Sequence, residues 1–459
     1  MTVWNAEVER LLANASHRAA RFLQGVDDRP VGPRPAALQG LSRFDEKLPE
    51  EPGDPTETIA LLDDVGSPAT VASAGSRYYG FVIGGAFPVA VAASWISSAW
   101  DQNTALPVMS PTADRLSAVV RRWLIDVLGL PSGTEAAFVT GATEANASCL
   151  AVARDRLLSE RGWDVQADGL FGAPEIPVVV GELAHSTLLK SLGLVGLGRN
   201  RVTRIPVDDA GRMRADLLPD IDGPAILCVQ AGEVNTGAFD PFSEVVAWAR
   251  ERGGWVHVDG AFGLWALASP RLSAQLCAGL VQADSWATDA HKWLNVTYDS
   301  GIAFVRNGGD LRRTFASVAG YLPPQGGYEA MHHTPQSSQR ARQIEIWAVL
   351  RTLGRSGVAE LVDRCCRHAS AIADGMRQAG LAVVNNVVLN QVLVRARSDE
   401  LTSRWIAAIQ DDGTCWCGPT NWDGRGAMRI SVSGWSTSDE DVKRSVEAII
   451  RCAQSVGAI

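Results

Sequence analysis

Between about residues 135 and 307 the chain alternates short apolar runs with helix-like stretches, and this rhythm limits the folds open to it. The runs are Ala136 to Thr140, Ile176 to Val180, Ala225 to Val229, Trp255 to Val258 and Ile302 to Arg306. They are continuously apolar rather than alternating, the mark of strands buried on both faces. Helical spacing fills the intervals. Asn146 to Glu160 carries Leu150, Val152, Leu157 and Leu158, and Asp240 to Arg252 is expected to be capped by Asp240, entered at Pro241 and stopped at Gly253-Gly254. Strands joined through helices predict a mainly parallel sheet covered on both sides.

The 459 residues call for more than one core. Residues 1–75 read as a helix from Val3 to Leu23, a proline-broken linker from Arg29 to Pro35, and further helix. Such a segment cannot bury a core alone, so it is expected to be a helical arm packed on another domain or a partner subunit. Residues 76–307 are expected to form the large α/β domain, entered through helices at Val89 to Trp100 and Pro111 to Leu130. Residues 308–459 turn helix-rich, with helices at Arg340 to Leu353, Ala359 to Ala379 and Asp439 to Cys452 and strands at Leu381 to Val394 and Ala427 to Val432. These imply a smaller C-terminal α+β domain.

A net charge of −9 without a basic stripe argues against nucleic acid and anionic membranes as partners. Apolar runs such as Phe87 to Ile96 are too short to cross a bilayer, and the polar start shows no signal peptide. The eight cysteines lack paired zinc spacing and do not suggest a disulfide framework, so buried thiols in a reducing cytoplasm are expected and no metal.

The chemistry-bearing residues each follow a strand-like run. Thr140-Gly141-Ala142-Thr143-Glu144-Ala145-Asn146 opens a helix with small residues, which lets backbone amides approach an anion. It lacks the lysine of a P-loop and the glycines of a dinucleotide fingerprint, and a plain turn capped by threonine also accounts for it. His185 follows the second run, where a helix cap is the alternative. Asp259 ends a strand at the edge where open α/β sheets bind ligands, and a cap or structural ion pair is its alternative. Lys292 lies between Ala290 and Trp293-Leu294, surroundings that suit a lysine for Schiff-base chemistry. An anion cradle, a histidine, a carboxylate and a lysine together suit a ligand with a phosphate, a flat ring, a basic ring nitrogen and an aldehyde, which describes pyridoxal 5'-phosphate.

These signatures resemble the pyridoxal-phosphate-dependent group II amino acid decarboxylases, which include aromatic amino acid, glutamate, histidine and tyrosine decarboxylases. The match rests on Thr140 to Asn146, His185-Ser186, Asn235 to Asp240, His257-Val258-Asp259-Gly260-Ala261 and Asp284-Ser285 through His291-Lys292-Trp293. Tyr79-Gly80, Ser110-Pro111, Tyr321-Leu322, Arg340-Ala341-Arg342 and Met428 to Val432 extend it from about residue 70 to the end. The resemblance implies the aspartate aminotransferase type of fold (fold type I), with a mainly parallel seven-stranded sheet, and a homodimer whose active site lies near the interface.

Residue by residue, the resemblance implies that Lys292 holds the cofactor as a Schiff base and Asp259 pairs with the ring nitrogen. His185 would stack on one ring face and Ala261 would meet the other. Gly141, Ala142, Thr143 and His291 would hold the phosphate, and Thr236 would lie near the ring substituents. Arg429, Tyr79 and Trp100 are the substrate-side candidates. The expected reaction is decarboxylation of an L-amino acid to the amine and carbon dioxide, completed by an acid from a mobile loop. Between Tyr321 and Ser338 that loop looks shorter than in the animal aromatic enzymes, and Tyr328 is the nearest acid, with His332 and His333 behind it. An aldehyde synthase, an aminotransferase or an aldolase-type lyase on the same cofactor remains the alternative, and a silent cofactor-binding scaffold the second.

Overall fold

The structure is a computed structural model that describes residues 2–317 and 328–459; the expected Tyr321-Leu322 match lies outside the described residues. The chain divides into two compact units. The larger comprises Gly84–Ser370 and Asn385–Val392, and the smaller Met1–Ile83, Ala371–Val384 and Leu393–Ile459.

In the larger unit the chain runs through α1 (Pro88–Trp100), α2 (Pro111–Val127), β1 (Glu135–Val139), α3 (Ala142–Ser159), β2 (Val178–Gly181), α4 (Ser186–Leu194), β3 (Val202–Ile205) and β4 (Ile226–Gln230). It continues through α5 (Phe242–Glu251), β5 (Trp255–Asp259), β6 (Ser285–Asp289), β7 (Gly301–Val305) and the long α6 (Gln343–Gln378), which passes into the smaller unit. The strands form a seven-stranded sheet in the order β1-β7-β6-β5-β4-β2-β3. Every neighbouring pair is parallel except those involving β7, which runs against both β1 and β6. The expected parallel sheet is present, with one reversed strand.

Burial explains the strands that composition displayed and one that it hid. β2, β4, β5 and β7 are buried along their whole length, as continuous apolar runs require. β6 is equally buried although it reads Ser-Trp-Ala-Thr-Asp, because its polar groups find partners inside the sheet. The Ser285 hydroxyl meets Trp255 Nε1 and His257 Nδ1, both at 2.9 Å. The edge strand β3 escaped the sequence reading because only Ile205 is fully buried. Leu150, Leu157, Val180, Leu188, Ile226 and Val305 belong to one core between helices and sheet, and each such side chain contributes about 1.5–3 kcal/mol by leaving water.

Two local expectations are revised. Asp240 does not cap α5: its carboxylate accepts from the Gln230 and Met213 amides, both at 2.7 Å, so it ties the end of β4 to a neighbouring loop. Pro241 takes the cap position instead. The two helices expected around 340–353 and 359–379 are both present: α6 is a pair of helices that meet in a kink at Gly354, whose φ of 62° is open to glycine.

The unit boundaries differ from 75/76 and 307/308. Buried Ile346, Val349, Val358 and Leu361 keep the first part of α6 with the larger unit. The N-terminal segment is tied into the smaller unit by Val31 N to Gly413 O at 2.9 Å and by the buried Arg77 paired with Asp441 at 2.9 Å. That unit holds a four-stranded sheet ordered β10-β11-β9-β8, from β8 (Ala382–Val383), β9 (Gln391–Arg395), β10 (Gly418–Trp422) and β11 (Arg425–Ser431). Its closing helix, Asp439–Val456, starts with a reciprocal cap between Ser438 and Asp441. All eight cysteines are buried and none forms a disulfide. Among the described residues no helix is long and apolar enough to cross a membrane.

Candidate active site

β5 and β6 pair in parallel, and the reversed β7 between β6 and β1 makes β1 run the same way, so all three strands end at one edge of the sheet, and the register levels β1 with β6. Gly301 stands opposite both Val139 of β1 and Asp289 of β6. The turn after β1 therefore lies beside the turn after β6. A Cβ on Gly301 would run into the backbone of Gly141, and a Cβ on Gly141 would meet Asp289 Oδ1 and His291 Cε1 at 3.3 Å each. These glycines let the start of α3 close on the His291-Lys292 turn.

α3 has no side-chain cap. Its first amide, that of Ala142, donates to Asp289 Oδ1 at 2.6 Å. The other Asp289 oxygen pairs with Lys292 Nζ at 2.9 Å, and His291 Nε2 lies 3.4 Å from Oδ1. The Ser300 amide donates to His291 Nδ1 at 3.1 Å, which leaves the ring proton on the nitrogen facing Asp289. Burial lowers the His291 pKa, and Asp289 opposes that shift. Lys292 is half-buried, with 22% of its side chain exposed, so it is more open than its apolar sequence neighbours imply.

Asp259 closes the other side. It is 5% exposed, and burial raises its pKa. The charges of His185 and Lys292 oppose that rise, followed by the Ala261 amide at 3.3 Å and the Asn146 side chain. Asp259, His185 and Lys292 thus share one electrostatic neighbourhood although 185 and 292 are far apart in sequence. His185 Nδ1 meets Thr187 Oγ1 at 2.6 Å and accepts from the Thr187 amide at 3.3 Å, so the histidine also caps α4. Ser191 of α4 donates to Thr143 O at 2.8 Å and fastens that helix to the first turn of α3. Behind Asp259, His257 bridges Asn146 and Ser285, and burial drives its pKa down to about 3. Ala261 accepts from the Asp289 amide at 2.9 Å and so joins the two strand ends.

Other expected residues are spent elsewhere. Thr236 is buried and its hydroxyl donates to Ala210 O at 2.8 Å, within a turn organised by the buried Glu233. Tyr328 donates to Ala136 O at 3.3 Å, stacks on His333 at 4.2 Å and lies under the Arg121 guanidinium at 3.6 Å. Ala136 is near the start of β1, on the order of 15 Å of strand from Gly141, so Tyr328 does not reach the Lys292 cluster of its own chain. Tyr79 is buried in the smaller unit with its hydroxyl 3.0 Å from Ser445. Arg429 is half-buried on β11, and Trp100 is exposed at the end of α1. The residue that sequence reasoning missed is Asp289. Its signal was a carboxylate three residues before the lysine, at a strand end.

Residues 46–397 match the family described as the pyridoxal-dependent decarboxylase conserved domain. The chain belongs to that family. It is a pyridoxal-phosphate-dependent amino acid decarboxylase, a carboxy-lyase. It is 26% identical over 377 residues to an aromatic-L-amino-acid decarboxylase of Bacillus atrophaeus, covering 79% of this chain and 76% of that one. It is 27% identical over 445 residues to an L-2,4-diaminobutyrate decarboxylase of Rhizobium meliloti (strain 1021), covering 92% and 87%. Among solved structures, Oryza sativa TDC with PLP and tryptamine superposes with a TM-score of 0.89 at 21% identity, covering 98% of each chain. That likeness shows the shared fold.

The site of this decarboxylase suits the cofactor's parts. The start of α3, whose N-cap Gly141 offers no side-chain cap, suits a phosphate, and the lysine and carboxylate follow neighbouring strands. One group does not suit: the Asp289 carboxylate already occupies the first amide of the cradle.

Proposed function

We propose that Lys292 holds pyridoxal phosphate covalently, that Asp259 faces its ring nitrogen, and that His185 and Ala261 lie on its two faces. The Ala142 and Thr143 amides with His291 are assigned to the phosphate. The observation that carries this reading is the shared neighbourhood of Asp259, His185 and Lys292 at the sheet edge. When bound, the cofactor supplies an electron sink for the pair released as the carboxylate leaves.

The chain's own groups do the rest. Asp259, whose charge burial opposes and His185, Lys292 and Asn146 favour, would hold a proton on the ring nitrogen. His185 is fixed by Thr187 and presents its ring without a conformational search. Thr236 supports the site from its turn. Tyr328 is assigned an anchoring role at the start of β1, in place of the acid role expected from its loop. Arg429 is kept as the cation for the substrate carboxylate, with Trp100 as an apolar neighbour of the substrate.

We assign a homodimer, and the exposed face of α1 supports it. Trp95, Ile96 and Trp100 are 43%, 52% and 46% exposed on an apolar helix, and Val108 and Met109 just beyond it are exposed as well. Such a patch suits a second copy of the chain. The helix Thr2–Gln24, with Leu12 at 59% exposure, is assigned to the same partner. Buried cysteines without disulfides fit a reducing cytoplasm.

The test is incubation with each proteinogenic amino acid, measuring carbon dioxide, amine, ammonia, peroxide and aldehyde. Amine with carbon dioxide supports the reading, and ammonia with aldehyde replaces it by the oxidative outcome. Lys292→Ala must abolish the visible absorbance band of the lysine-bound cofactor; a band that persists overturns the lysine assignment.

A further inference from the structure

Two carboxylates stand at the amino end of α3. Glu144 turns back to the Thr140 amide and hydroxyl, at 2.9 and 2.7 Å, and closes its own turn. Asp289 reaches in from β6. It is 3% exposed, and its oxygens hold the Ala142 amide at 2.6 Å and Lys292 Nζ at 2.9 Å. Its backbone is fixed on both sides: its N–H donates to Ala261 O, and its carbonyl accepts from Trp265 Nε1 at 3.2 Å. The carboxylate therefore cannot leave by moving the strand; only the side chain can rotate.

A helix start prefers negative charge, and here the charge is supplied from inside the protein. A phosphate brought to the same amide meets a fixed carboxylate within a few ångströms, in a site sheltered from water. Like charges that close repel strongly at the effective dielectric of a protein interior. The side chain then has to give up its amide and its lysine. That displacement weakens binding of the phosphate.

We propose that Asp289 is an internal substitute for the cofactor's phosphate. In the unloaded enzyme it holds the anion cradle and Lys292 in place, and in the loaded enzyme it limits how strongly the phosphate is preferred. The inference rests on the cofactor reading above. Asparagine has the same shape and keeps an acceptor for the Ala142 amide, but it carries no charge and adds a donor toward the phosphate.

The test uses the full-length enzyme freed of cofactor, with pyridoxine 5'-phosphate and pyridoxine as probes in titration calorimetry. Both carry an alcohol in place of the aldehyde, so neither reacts with Lys292, and the ratio of their dissociation constants reports the phosphate alone. Asp289→Asn raises the preference for the phosphorylated probe by about tenfold or more, and the affinity for pyridoxine moves less than about threefold. Asp289→Ala, which removes the charge and the acceptor together, moves the ratio the same way. A ratio unchanged or lowered in both variants, with native-like melting, overturns the proposal. If the unmodified enzyme binds neither probe and shows no lysine-dependent absorbance band, the cofactor reading itself falls. If the band is present and the ratio does not move, only the role of Asp289 falls.

Discussion

Alanine at Gly301 is expected to loosen the anion cradle without touching any group that acts in the reaction. Gly301 begins β7 and has no left-handed backbone, so alanine fits its conformation and only the added methyl matters. That methyl would lie 2.5 Å from Gly141 C and 2.7 Å from Gly141 N, where ordinary contact begins at 3.4 Å. The turn before α3 must therefore yield by roughly 0.7–0.9 Å. Overpacking of this kind costs about 1–3 kcal/mol, and a cost of about 2 kcal/mol is a factor of roughly 30 in an equilibrium constant.

The cost falls on the turn, so the variant should bind pyridoxal phosphate about 10–100-fold more weakly, with kcat at saturating cofactor within about threefold of the original. The assay is equilibrium titration of cofactor absorbance, with thermal melting of the unloaded protein beside it. Gly193→Ala is the control: its added methyl meets nothing within 4 Å, and the residue lies inside α4. It should leave binding unchanged. Unchanged cofactor affinity and melting in Gly301→Ala would refute the argument that this close approach shapes the site.

Asp259→Asn should cut kcat by at least about 100-fold even with saturating cofactor, because an uncharged amide no longer holds the ring proton; near-normal turnover in steady-state assays would remove Asp259 from its role. His257→Gln tests a pH effect. His257 has a folded pKa of about 3 against an ordinary 6.5, so between those values the unfolded chain binds more protons and stability falls as pH falls. The slope approaches about 1.4 kcal/mol per pH unit from this group, and the variant should show a flatter melting temperature between about pH 6.5 and 4; an unaltered slope would sink the assignment. Tyr328→Phe should cost about 1 kcal/mol of stability through the lost bond to Ala136 O and leave the ratio of amine to aldehyde products unchanged. A change in that ratio would restore the tyrosine as the acid.

Sequence legibility followed burial. Ile226 to Gln230 and Trp255 to Asp259 were readable because a strand buried on both faces must be apolar throughout. Ser285 to Asp289 was not, since its polar side chains are paid for by partners 28 and 30 residues away, His257 and Trp255. Lys292, Asp259 and His185 were legible as residues that follow strands. Asp289 was passed over because a carboxylate near a lysine looks like a surface pair until the fold shows it 3% exposed with an amide at 2.6 Å. Tyr328 shows the converse: its place in the loop suggested reactivity, while in the fold its hydroxyl turns to Ala136 O at 3.3 Å.

The burial of all eight cysteines has a practical consequence. Burial pushes Cys149 and Cys277 up to about 12 and Cys365 and Cys452 up to about 11, so at neutral pH these thiols are protonated as well as covered. Thiol reagents attack exposed thiolates. The native surface is therefore nearly silent toward maleimides, and one cysteine introduced at the exposed Glu447 of the closing helix gives a single attachment point per chain for a fluorophore, with no need to strip the interior first.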